Sequence, residues 1–106
     1  MIGTMIVIES DGRRREHVLR STPPLADLQR AVGGDLQLVP AFRRVAHASG
    51  MQKCFVLCNE HGKNMNLPVN LEANRLWQLS AGEPLDDILV GPVVILFGDA
   101  EFMAAL

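Results

Sequence analysis

Two short segments of this sequence are apolar at almost every position, on both of the faces that a β-strand would present. Thr4–Glu9 runs Thr-Met-Ile-Val-Ile-Glu, and Lys53–Cys58 runs Lys-Cys-Phe-Val-Leu-Cys. Successive side chains of a strand point to opposite faces of its sheet, so a strand that is apolar on both faces belongs in the interior and not at an edge. We therefore predict that these segments are two interior strands of one sheet.

Three further segments have the pattern of strands beside these two. Ser10-Asp11-Gly12 predicts a tight turn that leads into Arg13–Leu19, a strand whose charges suit a sheet edge. Asp35–Val39 is predicted to form a third strand, and its pairing should end or lie at a sheet edge at Pro40, because proline has no N–H to donate. Ile88–Phe97 is the longest apolar run of the chain, and we predict the last strand there.

Two amphipathic segments between the strands predict helices. In Leu25–Val32 the leucines and the valine fall on one helical face. We expect the hydroxyl of Ser21 or Thr22 to cap its first turn and Gly33-Gly34 to end it.

The second predicted helix runs from Leu71 to about Leu79 and follows Asn70, whose side chain suits an N-cap. Gly82 is expected to end it. The inward-facing residues are predicted to be Ala73, Leu76 and Trp77. The tail Asp99–Leu106 is expected to dock as a final helical turn.

The connections complete the predicted fold. Phe42–Gln52 has no clear periodicity and is expected to be an irregular, mobile loop that carries recognition residues. Glu60–Lys63 is predicted to close a hairpin, after which Asn64–Leu67 pairs back as a short strand. The order strand, strand, helix, strand, strand, short strand, helix, strand predicts a single α+β domain over residues 1–106. It has one mainly antiparallel sheet of about five strands, with two helices on one face.

Length and charge exclude several classes of protein. A chain of 106 residues with 48% apolar and 21% charged residues can bury one core and is not disordered. Residues 1–63 hold nine Lys/Arg against six Asp/Glu, and residues 64–106 hold one against six. This asymmetry suggests a polar partner surface but is too mild to mark a nucleic-acid-binding protein. With no signal-peptide pattern and no apolar run of about 20 residues, we expect a cytoplasmic protein.

The two cysteines raise the question of a metal or disulfide site. Cys54 and Cys58 would lie four residues apart along one strand, roughly 13 Å, which is too far for a disulfide or for shared ligation of one ion with His61 and His47. We therefore expect buried, reduced cysteines, no metal and no cofactor. A reactive thiol built from Cys58 and His61 stays open as the centre of a small enzyme or ligand-binding site.

No catalytic motif is recognisable, so we expect a protein that is not an enzyme. Five asparagines occupy positions 59, 64, 66, 70 and 74. They suit turns and helix caps, or alternatively an amide surface that recognises a peptide or a base edge.

Two polar segments, the 42–52 loop and the 59–63 turn, are the candidate recognition surface, because arginine often anchors interfaces. The predicted protein-binding residues are Arg43, Arg44, His47, Asn59, Glu60, His61, Lys63, Asn64 and Asn66. The alternative is a nucleic-acid-binding surface formed by Arg13, Arg14, Arg15, Arg43, Arg44 and Lys53. The expected partner is an unidentified protein, with a homodimer as a further option and no membrane contact.

Several motifs resemble, in order and spacing, the small phage- and plasmid-encoded proteins of the domain of unknown function 3846 family. They are Met5–Glu9, Val32–Pro40, Cys58–Lys63, Leu67–Asn70 with Ala73–Leu76, and Ile88–Val94. The resemblance implies a setting in mobile genetic elements and no catalytic residue. We therefore expect a non-catalytic accessory protein that binds a protein partner, with inhibition of a host defence complex of the CRISPR or restriction type as one such role.

Overall fold

The computed structural model describes residues 1–48 and 50–106 and has an α+β fold, as predicted. The described residues form a five-stranded antiparallel sheet, a separate two-stranded hairpin and three helices. The strands are β1 (Gly3–Ile8), β2 (Arg14–Leu19), β3 (Leu36–Leu38), β4 (Arg44–His47), β5 (Gly50–Lys53), β6 (Phe55–Asn59) and β7 (Val93–Gly98). The helices are α1 (Leu25–Val32), α2 (Leu71–Ala81) and α3 (Ala100–Ala104).

The strand order of the main sheet is β2-β1-β7-β6-β3, and each neighbouring pair is antiparallel. The prediction that the two doubly apolar segments are interior strands is confirmed by β1 and β6. The second segment differs in its bounds, because Lys53 ends β5 and β6 begins at Phe55. The predicted edge position of β2 is confirmed, and β3 forms the other edge of the sheet.

Both faces of the sheet are covered, so the prediction of helices on one face is wrong. On one face, here called the α1 face, Leu28 and Val32 of α1 and Phe102 of α3 pack against the strands. On the other, the α2 face, Ala73 and Trp77 of α2 pack against the strands beside the β4–β5 hairpin. The physical reason is that β1 is apolar on both faces and contributes buried side chains to both layers.

The segment predicted to be an irregular loop is largely a β-hairpin, β4–β5. Val45 is buried in the core on the α2 face. The backbone N–H groups of Arg43 and Arg44 donate to Oγ of Ser80 near the end of α2, at 3.0 and 3.2 Å. Ser49, which belongs to the same predicted loop, lies outside the described residues.

Residues 60–66 form successive turns, so the prediction of a short return strand at Asn64–Leu67 is wrong. Asn66 has a φ of +54°, in the left-handed region, which interrupts an extended strand. Further along, a single antiparallel bridge joins Val69 to Val90.

Helix α2 begins at the predicted cap. Oδ1 of Asn70 accepts a hydrogen bond from the N–H of Ala73 at 3.0 Å, and the helix ends at Gly82, whose φ is +69°. Helix α1 also ends as predicted, at Gly33. Its beginning differs, because Pro24 holds the N-cap position and no side chain caps the helix.

The predicted docking of the C-terminal tail as a helical turn is confirmed by α3. Oδ1 of Asp99 accepts from the N–H of Phe102 at 2.9 Å, and Oδ2 accepts from the N–H of Ile2 at 2.8 Å. The ring of Phe102 lies directly on Gly3, where an added Cβ would be 2.3 Å from a ring carbon. Glycine at this position therefore allows α3 to lie close to β1.

Candidate functional site

Three of the five asparagines, Asn59, Asn70 and Asn74, use their side chains in hydrogen bonds within the fold. Asn70 is fully buried, and its Nδ2 donates to the carbonyls of Ile8 and Gly91 at 3.0 and 2.9 Å. The side chain of Asn74 bonds both the N–H and the carbonyl of Leu89, each at 2.9 Å. These amides join α2 to the strand ends and are not part of a recognition surface.

Asn59 is a predicted partner-binding residue that the structure places inside. Its side chain is buried, with Nδ2 donating to the carbonyl of Val32 at 3.3 Å and Oδ1 accepting from the N–H of His61 at 2.8 Å. Both ends of the amide are thus used within the fold, and Asn59 is not available to a partner.

The remaining predicted residues of the turn are exposed, namely Glu60, His61, Lys63, Asn64 and Asn66. Lys63 forms an ion pair with Asp87. The hydrogen bond from Lys63, and then the one from the N–H of Ile88, lower the pKa of Asp87.

This turn borders a cavity of about 260 Å³ on the α2 face, which we call the edge cleft. Its rim includes Glu60, Lys63 and Asp87, and its inner wall includes Cys58 and Trp77. The edge cleft therefore has an apolar floor and a rim of mixed charge.

A second, larger cavity of about 720 Å³ lies where the hairpin leaves the sheet, and we call it the basal groove. Its lining is mainly apolar and includes Leu38, Phe55 and Met103. Arg43, Arg44 and Lys53 line the same cavity. The three cations meet because β4 and β5 pair with Arg44 opposite Lys53, while the carbonyl of Arg43 accepts from the N–H of Cys54 at 2.8 Å.

Arg43, Arg44 and Lys53 differ from Arg13 and Arg15 in their pairing. Among residues 1–48 and 50–106, no ion pair involves Arg43, Arg44 or Lys53. By contrast, Arg13 lies 2.7 Å from a carboxylate oxygen of Asp11, and Arg15 lies 2.9 Å from one of Glu9. The residues predicted to bind nucleic acid therefore lie in two separate places. Arg43, Arg44 and Lys53 line the basal groove, and Arg13–Arg15 line a hollow beside β2.

His47 is not brought to the basal groove. Its Nε2 lies 3.2 Å from Oε2 of Glu16 on β2, and its ring centroid lies 4.9 Å from that of Phe97. These contacts join the β4–β5 hairpin to β2 and β7 of the main sheet, which is a structural role.

The cysteines are free and buried, as expected. Burial raises the pKa of Cys54 to about 11, and burial also raises that of Cys58. Because the thiolate is the reactive form, this environment gives no support to a nucleophile built from Cys58 and His61.

A cluster that sequence spacing did not reveal is formed by Asp35, Glu60 and His61. Asp35 lies between α1 and β3, far from the other two residues in the sequence. Three potential ligand atoms lie within 4.8 Å of one another, all on exposed side chains. Nε2 of His61 is 3.4 Å from Oδ2 of Asp35. Two carboxylates against one imidazole leave this end of β3 acidic whether or not the imidazole is protonated.

The cations of the basal groove were predicted from the sequence as binding residues, whereas the residues of its apolar wall were not. Leu38 and Phe55 are 56% and 41% exposed. Both were predicted to lie in strands, and Met103 in the tail, without any sign that the three would line one cavity. The signal that was available is that Leu38 lies two residues before Pro40, where pairing of this strand was expected to end or to lie at a sheet edge.

The chain belongs to the DUF3846 family, a domain of unknown function, whose model matches residues 3–104. No curated protein and no solved structure matches the chain. Within the described residues, no helix has both the length and the apolar character needed to cross a bilayer.

Proposed function

We propose that this protein is a non-catalytic binding protein that captures a segment of another protein in the basal groove. The observation that carries the proposal is the grouping of Arg43, Arg44 and Lys53, which have no ion-pair partner among the described residues, around a mainly apolar cavity. A like-charge group of this kind costs stability in the free protein, and a partner that supplies negative charge relieves the cost.

The groove defines the chemistry of the partner. A volume of about 720 Å³ accepts one or two large apolar side chains against Phe55 and Met103. The cations at its border favour carboxylates that flank this apolar anchor. Buried apolar anchors bordered by arginine are the usual centres of binding energy in protein interfaces.

Two rival functions receive less support. A nucleic-acid surface would need a continuous cationic track, whereas Arg13 and Arg15 line a separate hollow and are already paired with Asp11 and Glu9. An enzyme centred on Cys58 would need an accessible thiolate, and that thiol is buried.

The biological setting belongs to the same proposal. The resemblance to phage- and plasmid-encoded proteins favours an accessory protein of a mobile element that works in the cytoplasm of its host. Within that setting, the partner would be a component of host machinery, and inhibition of a defence complex is the role that we favour.

The test compares tagged proteins recovered from the native host, with co-purifying proteins identified by mass spectrometry. We expect Arg43→Glu combined with Arg44→Glu to lose the partner, because reversed charge at an interface is repulsive as well as unpaired. The matched control is Arg14→Glu with Arg20→Glu, which makes the same change of net charge on and beside β2. Full retention of the partner by the groove variant, or capture of nucleic acid alone, contradicts the proposal.

A further inference from the structure

Strand β3 is one of the two edges of the main sheet, and among the described residues no strand pairs with its outer side. Along β3, the backbone groups of the odd-numbered residues point inward and hydrogen-bond to the β6 side. The N–H of Val39 donates to the carbonyl of Val56, and the carbonyl of Asp35 accepts from the N–H of Glu60, each at 2.8 Å. The N–H and carbonyl groups of Leu36 and Leu38 therefore point outward. Among the described residues, no backbone hydrogen bond reaches these outward groups.

The two edges of the sheet are protected to very different degrees. The edge strand β2 reads Arg-Arg-Glu-His-Val-Leu, and such charges discourage another strand from pairing. The opposite edge, β3, reads Leu-Gln-Leu and carries no charge within the strand. An uncharged edge with an exposed leucine is a template for strand addition.

We propose that β3 pairs with β3 of a second copy of this chain, in antiparallel orientation about a two-fold axis at Gln37. In this register, Leu36 of one copy lies opposite Leu38 of the other, and both positions have their backbone groups directed across the interface. Four N–H···O=C hydrogen bonds then form, and the two sheets become one sheet of ten strands, twice the five of a single copy.

The side chains match under the same two-fold rotation. Directly opposite residues of an antiparallel pair lie on the same face, so Leu36 and Leu38 of both copies meet on the α1 face. Half-buried Leu57 lies opposite Leu38 in the β3–β6 pair and extends that apolar surface. On the α2 face, Gln37 of each copy faces its equivalent, and two amides can satisfy each other.

Charge complementarity is what favours a second copy over another occupant. The N-terminal end of β3 is acidic, with Asp35 beside Glu60, and the chain beyond its C-terminal end carries Arg43 and Arg44. Antiparallel pairing places the acidic end of each copy beside the basic end of the other. A two-fold operation forms this opposite-charge contact twice, whereas a parallel pairing would bring like charges together.

The dimer engages part of the surface that the proposed partner would use, because Leu38 belongs to both. Self-association and partner capture are therefore expected to compete. The dimer itself does not rest on the proposed function, since it is measured on the pure protein.

The test is sedimentation velocity on the pure protein from about 1 µM to about 1 mM, the range in which weak dimers dissociate. We expect a concentration-dependent shift from monomer to dimer that weakens with salt. Leu38→Pro removes the outward N–H together with the leucine side chain, and breaks no hydrogen bond to β6. It should raise the dissociation constant about tenfold or more, because two symmetry-related hydrogen bonds are lost. Leu38→Thr keeps the N–H and is the matched control, expected to retain more of the dimer.

Two further measurements test the proposal even if the Leu38→Pro variant folds poorly. In the wild-type protein, the amides of Leu36 and Leu38 should gain hydrogen-exchange protection as concentration rises. Asp35→Lys with Glu60→Lys should weaken the dimer, and adding Arg43→Glu with Arg44→Glu should restore it. A monomer at every concentration overturns the proposal, as does a dimer whose Leu36 and Leu38 amides stay unprotected. Protection of those amides only by a different protein overturns it as well.

Discussion

The indole N–H of Trp77 donates a hydrogen bond to the carbonyl of Pro40 at 2.8 Å. This contact joins α2 to the chain just beyond β3, and it gives the carbonyl of Pro40 a donor within the protein. The free edge is thereby limited to Leu36 and Leu38. The same contact stands between the edge cleft and the basal groove, because Pro40 lines both.

Trp77→Phe is expected to lower the free energy of unfolding by about 1–2 kcal/mol, since the carbonyl loses its donor while most of the ring's packing is kept. Chemical denaturation measures the change. Leu79→Ala on the exposed side of α2 is the control, and its effect should stay below about 0.5 kcal/mol. Equal effects of the two substitutions would show that the indole hydrogen bond contributes little.

Asn70→Ala should be among the most destabilising single substitutions, with a loss of about 3 kcal/mol or more. It leaves the carbonyls of Ile8 and Gly91 and the N–H of Ala73 without their side-chain partner in a buried environment. Asn64→Ala, at an exposed position, is the matched control. Comparable denaturation midpoints for the two variants would contradict the structural role assigned to Asn70.

The buried thiol of Cys54 predicts a loss of stability in alkali. Its pKa is about 11 in the folded protein against 9.0 when unperturbed, so between these values the unfolded chain has released a proton that the folded chain still binds. Stability therefore falls as pH rises from about 9 to about 11. Cys54→Ala should flatten this part of the curve of unfolding free energy against pH. An unchanged slope in that variant would show that another group controls it.

Gly3→Ala should destabilise the protein by about 1–3 kcal/mol, because its Cβ would overlap the ring of Phe102. Gly50→Ala is the control, since no atom lies within 4 Å of its added Cβ. Thermal unfolding of both variants provides the measurement. Combining Gly3→Ala with Phe102→Leu should recover part of the loss; a purely additive result would place the strain elsewhere.

The interior strands were predictable because burial on both faces leaves a direct mark on the sequence. The hairpin β4–β5 was not, because four residues per strand give too few alternations to establish a period of two. The prediction of a return strand at Asn64–Leu67 is wrong for another reason. Its polar residues suit turns, and Asn66 adopts a left-handed conformation there.

The candidate site was also predictable only in part. Arg43, Arg44 and Lys53 could be identified as exposed cations from local sequence. Their meeting with Phe55 and Met103 depends on the hairpin register and on the docking of α3, which bring together segments far apart in the chain. Tertiary convergence of this kind has no periodic signature in the sequence.

Lys53→Glu separates stability from function at the basal groove. Arg44 and Lys53 are directly opposite in the β4–β5 pair, so the wild-type hairpin sets two like charges side by side. The substitution turns this pair into an attractive one and should raise the free energy of unfolding by about 0.2–1 kcal/mol. It should also weaken capture of the partner, because the groove loses one cation and gains a carboxylate. Lys53→Gln removes the repulsion without adding attraction and should lie between the two in both measurements. A variant that is stabilised and still captures the partner fully would show that Lys53 takes no part in binding.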